Sequence, residues 1–249
     1  MNTVAVILAG GKGTRISEET RYIPKPMIMV GDRPIIHHIM DEFVSWGIDE
    51  FVILTGYKQE IIFGHFFGCS EDITREGNYT VCKSKDWKVT LVPSGMESQT
   101  GGRLLFLKGL ISDDFFFTYG DGLSDIDLSK VIKLHKEKNA IATVSGVHPA
   151  PRFGSLFIRD DGLVQEFGEK VDHLDGWING GFSVLSPKIL DYINSEQCNL
   201  EKDVYPQLAK DGNLYSVTHD GFWQCVDTIR DLDLLNSIYL EKGRIWLKQ

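Results

Sequence analysis

No stretch of this 249-residue chain approaches the roughly 20 consecutive apolar residues that a membrane-spanning helix requires. The opening MNTVAVILAGG has a short apolar run but no basic leader region and no cleavage-like end, so it reads as a buried first strand. Cysteine is scarce. Cys69, Cys82, Cys198 and Cys225 form no Cys-x-x-Cys pair, and no histidine cluster stands beside any of them in the sequence, which argues against zinc modules and a disulfide framework. Positive charge is also in short supply: 26 Lys and Arg face 35 Asp and Glu, for a net charge of −9. That balance argues against nucleic acid or an anionic membrane as the main partner. Low-complexity tracts, internal repeats and a Pro/Ser-rich linker are absent too. One core of ordinary size, in a cytoplasmic enzyme, is the expectation.

What is present is an alternation of strands and helices. Val4 to Leu8 is an apolar run ending in glycines, as expected of a central parallel strand. Ile35, Ile36, Ile39, Met40, Phe43 and Val44 recur at helical spacing, with Gly47 as the stop. Strands are expected over Phe51–Leu54, Val89–Val92, Phe115–Tyr119 and Ala140–Val147, and helices over Ile61–Phe67, Arg103–Leu110 and Leu128–Lys138. The polar stretch from Ser70 to Lys88 gives no clear pattern. Such alternation predicts an α/β fold, a doubly wound, mainly parallel mixed sheet with helices on both faces. After Pro149 the texture changes: Ser155–Ile158 and Leu163–Phe167 flank Asp160-Asp161-Gly162, a hairpin signal. Antiparallel additions to the same sheet are expected there, within one domain whose halves are 1–148 and 149–249.

Leu8-Ala9-Gly10-Gly11-Lys12-Gly13-Thr14-Arg15 follows the first strand. Its glycines let backbone amides approach phosphate oxygens. Two better-known phosphate loops fail here, because Ile16 stands where a dinucleotide fingerprint needs glycine and Gly13 follows Lys12 where a Walker loop needs Ser or Thr. Pro24 and Pro26 then restrict the backbone around Lys25. A glycine turn with surface charges is the alternative for the loop taken alone.

Two aspartates stand in matched settings. Asp121 lies between Gly120 and Gly122 at the end of an apolar strand, where open α/β sheets bind ligands. Asp227 ends Phe222-Trp223-Gln224-Cys225-Val226-Asp227. Two carboxylates suit Mg²⁺, a hard octahedral ion. The alternatives are a turn role for Asp121 and a helix N-cap for Asp227. Between these segments, Ser98-Gln99-Thr100-Gly101-Gly102-Arg103 offers a glycine pair and an arginine to a polar ligand edge, or is merely a loop-to-helix junction.

LAGGKGTR followed by PKPM resembles the signature of the sugar-nucleotide pyrophosphorylases, and YGDG and W-x-x-x-D-T resemble that family's metal positions. T-G-G-R, Ile16 to Thr20 (ISEET), Arg152-Phe153-Gly154, Ile178 to Phe182 (INGGF) and Gly221 to Asp231 are similar to the glucose-1-phosphate cytidylyltransferase branch. The resemblance covers nearly the whole chain. It implies a nucleotide site made by Leu8, Ala9, Gly10, Gly11, Gly13, Thr14, Arg15, Lys25, Ser98, Thr100, Gly101, Arg103 and Gly120. Arg15 and Lys25 would carry the catalytic charge on the triphosphate, and Asp121 and Asp227 would hold Mg²⁺. Glu169, Lys170, Asn179 and Gly180 would bind the acceptor, with Lys170 on its phosphate. CTP and a phosphorylated small-molecule acceptor are the implied partners, in a homo-oligomer that makes a CDP-sugar for polysaccharide assembly.

Two departures concern the acceptor. Val171 stands where the family runs E-K-P, and Asp172-His173-Leu174-Asp175-Gly176 lacks a further lysine expected in this branch. The segment from Gly68 to Lys88 is also shorter than its counterpart. His173 reads as a solvated loop residue, since attack by an already ionised phosphate needs no general base. The expected reaction is transfer of CMP from CTP to a sugar 1-phosphate with release of pyrophosphate. A different phosphomonoester acceptor, and a non-catalytic regulatory subunit, are the rival readings.

Overall fold

A computed structural model of the protein describes residues 3–148 and 176–248, with the backbone of 155–158 and 164–168. The first half runs β1 (Val4–Ala9), α1 (Ser17–Thr20), β2 (Met29–Val30), β3 (Arg33–Pro34), α2 (Ile35–Ser45), β4 (Glu50–Thr55), α3 (Gln59–Cys69), β5 (Asp72–Glu76), β6 (Tyr79–Lys83), β7 (Lys88–Pro93), α4 (Thr100–Leu104), β8 (Phe115–Tyr119), β9 (Gly122–Ser124), α5 (Leu128–Lys138) and β10 (Ala142–Val147). The second half adds β11 (Ser155–Ile158), β12 (Val164–Gly168), β13 (Ile178–Leu185), α6 (Tyr205–Lys210), β14 (Leu214–His219), β15 (Trp223–Cys225) and α7 (Ile229–Lys242).

Nine strands form one sheet in the order β14-β10-β13-β8-β1-β4-β7-β6-β5. β1 lies between β4 and β8 and is parallel to both. β4 and β7 are also parallel, as are β10 and β14. Among the described residues of this sheet, only β6 and β13 run against their neighbours. The mixed, mainly parallel sheet is the expected one, and β13 is the expected antiparallel addition. The second-half hairpin differs: β11 and β12 pair antiparallel as a separate two-stranded sheet. The turn between them lies outside the described residues.

Alternation in the strands fills two cores. On one face, Ala5, Ile7, Ile53 and Phe116 pack with Ile36, Ile39 and Phe43 of α2, Ile62 and Phe66 of α3, and Leu235 of α7. On the other, Val6, Leu8, Leu54 and Phe117 pack with Leu104 of α4 and Leu208 of α6. Phe43 is fully buried among Phe51, Phe116 and Phe182, at ring-centroid distances of 6.4, 5.9 and 6.2 Å. Truncating such an aromatic to alanine costs about 3–5 kcal/mol. α2 ends where Gly47 predicts. Gly47 takes a left-handed φ of 78° and its N–H donates to Val44 O (2.8 Å), while Ile48 N–H donates to Phe43 O (3.1 Å). That pair of bonds is a Schellman termination.

Two expectations need correction. The patternless stretch after Ser70 is the β5–β6 edge hairpin, closed by the two-residue loop Gly77-Asn78 with Gly77 at φ 59°. All five β5 residues are exposed, so no buried face imposed an alternation. The helix expected over Arg103–Leu110 begins earlier and is short: α4 spans Thr100–Leu104 and continues as a single 3-10 turn over Leu105–Leu107.

Candidate active site

The site is built at the C-terminal ends of β1 and β8. Gly13 adopts φ 60°, a left-handed conformation that turns the loop after β1 and starts a 3-10 turn carrying Thr14 and Arg15. Pro24, extended at φ −69° and ψ 148°, leads into a second 3-10 turn, Lys25–Met27. Pro26 packs against Gly120, where a Cβ would come within 2.8 Å of the proline ring and of Leu8 O. Only glycine allows that approach, and it sets Lys25 beside Asp121.

The register of a small antiparallel pair brings in the second aspartate. Cys225 of β15 faces Gly122 of β9, and Val226 N–H donates to Asp121 O (2.9 Å). Asp227 follows directly. The N-cap of α7 is Thr228, whose hydroxyl accepts from Asp231 N–H while the Asp231 carboxylate accepts from Thr228 N–H. This capping box settles the alternative raised for Asp227. Its carboxylate is not a helix cap and points into the site.

The two carboxylates converge on one ammonium. Lys25 Nζ donates to Asp121 Oδ2 at 2.6 Å and to Asp227 Oδ1 at 2.8 Å, while Arg15 Nη1 donates to Asp227 Oδ2 at 2.8 Å. The Lys25 side chain is 12% exposed and that of Asp227 18%, so both charges are largely out of water. Burial alone would lower the Lys25 pKa, but Asp121 and then Asp227 outweigh it and the net shift is upward. Burial likewise would raise that of Asp227, yet the bonds and charges of Lys25 and Arg15 hold it below the usual carboxylate value. Cys225 is pushed the other way, to about 12, by burial and the two aspartates, so its thiol stays protonated.

Two cavities meet at Asp121 and Tyr119. One, of about 220 Å³, is lined by the Gly10–Gly11–Gly13 loop, Lys25, Ser98, Thr100 and Arg103. The other, of about 420 Å³, is lined by Arg15, Asn179, Gly180, Glu201 and Asp227. Leu8, Ala9 and Gly120 also line the first cavity. Thr14 lines neither, and Arg15 opens on the second. Asp121 lines both cavities and Asp227 the second. A further hollow of about 400 Å³ beside Trp46 and Asp114 has no part in it.

Several side chains already have partners. Ser98 Oγ donates to Glu196 Oε2 (3.0 Å) and Thr100 Oγ1 to Glu201 Oε2 (2.7 Å). The N–H of Gly102, expected to be free for a ligand, donates to Cys198 O (2.9 Å). Arg103 is buried, and its guanidinium donates to Gly10 O (2.9 Å), Gly95 O (2.7 Å), Thr55 O (3.2 Å) and Ser94 Oγ (2.8 Å). It therefore fastens the glycine loop to the ends of β4 and β7 as well as facing the first cavity. Asn179 Oδ1 accepts from Gly181 N–H (2.9 Å). Glu169, Lys170, Val171, His173 and Arg152-Phe153-Gly154 lie outside the described residues.

Sequence reasoning missed Glu201 and Glu196. Glu201 sits in a π-turn over Leu200–Val204 and accepts from both Thr100 and the Tyr119 hydroxyl, joining the two cavities. Its partners are some 80 to 100 residues away in the chain, so no local motif marks it.

The profile of the nucleotidyl transferase family matches residues 4–242. This chain belongs to that family. The nucleotidyltransferase is 40% identical to "Probable glucose-1-phosphate cytidylyltransferase" of Bacillus subtilis (strain 168), over 97% of this chain and 98% of that protein. It is 42% identical to "Glucose-1-phosphate cytidylyltransferase" of Salmonella typhimurium, over 96% of each. In fold it is similar to HddC from Yersinia pseudotuberculosis, with a TM-score of 0.72 at 24% identity, covering 95% of this nucleotidyltransferase and 99% of that chain. The resemblance read from LAGGKGTR, YGDG and W-x-x-x-D-T is thus borne out over nearly the full length.

Proposed function

We propose that this nucleotidyltransferase transfers CMP from CTP to a hexose 1-phosphate of the glucose 1-phosphate kind, giving a CDP-sugar and pyrophosphate. One observation carries the reading: two cavities share a floor at Asp121, and there Lys25, Arg15 and Asp227 gather. Membership of the family and the two relatives named as glucose-1-phosphate cytidylyltransferases supply the substrates.

The reaction forms a bond from an acceptor phosphate oxygen to the α-phosphorus of CTP and breaks the bond from that phosphorus to the pyrophosphate. The acceptor is ionised, so no proton has to move and no base is required. The obstacles are repulsion between two anions and their alignment. The glycine loop offers backbone amides to the triphosphate from the first cavity. Lys25, held by its two flanking prolines, carries its charge to the junction where attack occurs. Arg15, on the same carboxylate from the second cavity, faces the acceptor side and offsets charge there. Positioned cationic donors of this kind are each worth about 2.7–4 kcal/mol by comparison with an oxyanion donor.

Asp121 and Asp227 fit Mg²⁺: they are oxygen donors that already converge on one cation, and the ion prefers such ligands together with phosphate oxygens and water. When bound, it supplies charge neutralisation and alignment of the phosphates. A homo-oligomer working in the cytoplasm is carried over from the resemblance, and light scattering tests the assembly.

A matrix of nucleoside triphosphates against phosphorylated acceptors, read by pyrophosphate release, tests the function. Saturable release with CTP and glucose 1-phosphate is the expected result. Release with CTP and another phosphomonoester alone would move the acceptor. No release with CTP and any sugar phosphate would overturn the proposal.

A further inference from the structure

A second cluster of ligand-type side chains lies apart from the reaction centre. His37 is on the first turn of α2, and His65 and Cys69 are on the last two turns of α3. His65 and Cys69 are four residues apart, the spacing that places two side chains on one helix face. His37 Nε2 is 2.7 Å from His65 Nε2, and Cys69 Sγ is 3.9 Å from the same nitrogen. One ligand atom from each of the three falls within 4.8 Å of the others. None of the three lines either cavity of the active site.

We propose that His37, His65 and Cys69 bind a Zn²⁺ ion that ties α2 to α3. A histidine pair alone would be satisfied by one N–H and one lone pair. Here a third donor, the thiol, is aimed at the same His65 nitrogen, and a metal uses the lone pairs of all three at once. Tetrahedral zinc, with Zn–N about 2.0–2.1 Å and Zn–S about 2.3 Å, sets neighbouring ligand atoms about 3.3–3.6 Å apart. Reaching that geometry changes the His37–His65 and His65–Cys69 separations by about half an ångström and closes the His37–Cys69 pair, now within 4.8 Å, by up to about 1.3 Å. The inner wall is aromatic. The Phe66 ring lies 5.6 Å from both imidazoles, and Trp87 lies 6.5 Å from His37 and 5.5 Å from Phe66. Cys69 is exposed, so the ion enters from solvent and a water completes the fourth position. Neutral imidazole is the ligating form, and one ring nitrogen of each histidine already faces the shared point. Linear spacing argued against zinc because the third ligand stands 28 residues upstream of His65 and meets it only through packing of the two helices.

The inference is independent of the catalytic proposal, and its test reads no activity. The full chain, without a histidine tag, is reduced, stripped with chelator and titrated with Co²⁺ and Zn²⁺ in excess Mg²⁺. We expect one Co²⁺ per chain with a thiolate-to-cobalt charge-transfer band and the visible bands of a tetrahedral site. Cys225 is a thiol beside the Asp121 and Asp227 carboxylates, so Cys225→Ser must keep the band while Cys69→Ser loses it. His65→Ala, its fold checked by circular dichroism, should weaken Zn²⁺ binding more than about tenfold, since even second-shell losses cost 10–100-fold. Zn²⁺ at about 100 times its Kd should raise the Tm of the wild type by about 5 °C or more, and that of Cys69→Ser far less. A missing thiolate band, a band that survives in Cys69→Ser, or an equal Tm rise in both proteins would overturn the site.

Discussion

Lys25→Met tests the central arrangement most directly, because the structure predicts three effects of differing sign. The ammonium neutralises two carboxylates at 2.6 and 2.8 Å in a site where the lysine side chain is 12% exposed. A charge pair about 4 Å apart is worth about 4 kcal/mol at an effective dielectric of 20, and desolvation offsets much of it. Removing one member of a buried pair costs about 3–5 kcal/mol. Arg15 remains on Asp227, so the lower end applies, and about 3 kcal/mol corresponds to a Tm fall of roughly 6–12 °C for a chain of this size. Turnover should drop by about 10²–10³-fold through loss of a positioned cation. Divalent-ion affinity of the nucleotide-free protein should move the other way. The lysine and a metal compete for the same two oxygens, so the variant should bind Mn²⁺ at least about tenfold tighter, a difference of about 1.4 kcal/mol. Scanning calorimetry and Mn²⁺ titration by electron paramagnetic resonance measure both. The pH dependence has a definite sign. Lys25 has a raised pKa, so its contribution is complete below 10.5 and lost as pH rises through the folded value. Asp227 has a lowered pKa, so its contribution is complete above 3.8 and lost as pH falls through the folded value. The Tm difference between wild type and variant should therefore be flat from about pH 5 to 9. If Lys25→Met keeps the wild-type Tm and binds Mn²⁺ no more tightly, the shared site for ammonium and metal is wrong.

Asp227→Asn should lose about 100-fold or more in turnover and, because Lys25 keeps Asp121, lose less stability than Lys25→Met, whereas Thr228→Ala should lose about 1 kcal/mol of stability with turnover little changed, because Thr228 rather than Asp227 caps α7. Arg103→Ala should cost about 2–3 kcal/mol, seen as a lower midpoint in urea, and Arg103→Lys should not restore it, since lysine lacks the fork that reaches Gly10 and Gly95 together. Glu42 is fully buried, and burial outweighs the Ser124 backbone N–H and holds its pKa well above 4.5. Such a group favours the folded state less as pH rises above 4.5, so Glu42→Met should raise the Tm at pH 7 and flatten the decline in stability between pH 4.5 and 7.

Elements with one buried face or a local stop signal were legible from the residues. α2 ends at Gly47 and α5 spans Leu128–Lys138 as read, because periodicity and caps are local. β5 was not legible from periodicity, since an edge strand exposed on both faces has none, although Gly77-Asn78 between Glu76 and Tyr79 is a recognisable hairpin loop. α4 was displaced because Gly101 and Gly102 read as a junction. Both are helical here, packed against the backbone of Glu196 and Cys198.

The candidate site divides along the same line. Asp121, Lys25 and Arg15 were readable because each sits in a short motif whose glycines or prolines are themselves signals. Asp227 was ambiguous, yet the information that frees it was local. Thr228 and Asp231 form a T-x-x-D capping box, and a helix that already has its cap leaves the preceding carboxylate to point elsewhere. Glu201 had no such signal, because its partners Thr100 and Tyr119 reach it through the packing of the α4 segment against the 196–204 segment. Arg103 shows the remaining difficulty. An arginine beside a glycine pair reads as a ligand contact, and five bonds to Gly10, Thr55, Ser94 and Gly95 also make it a fastening for the glycine loop proposed to meet the nucleotide. Its loss is then felt by the nucleotide through the position of Gly10 and by the fold through unpaired backbone carbonyls. For this residue stability and nucleotide use should fall together, whereas for Asp227 turnover should fall far more than stability.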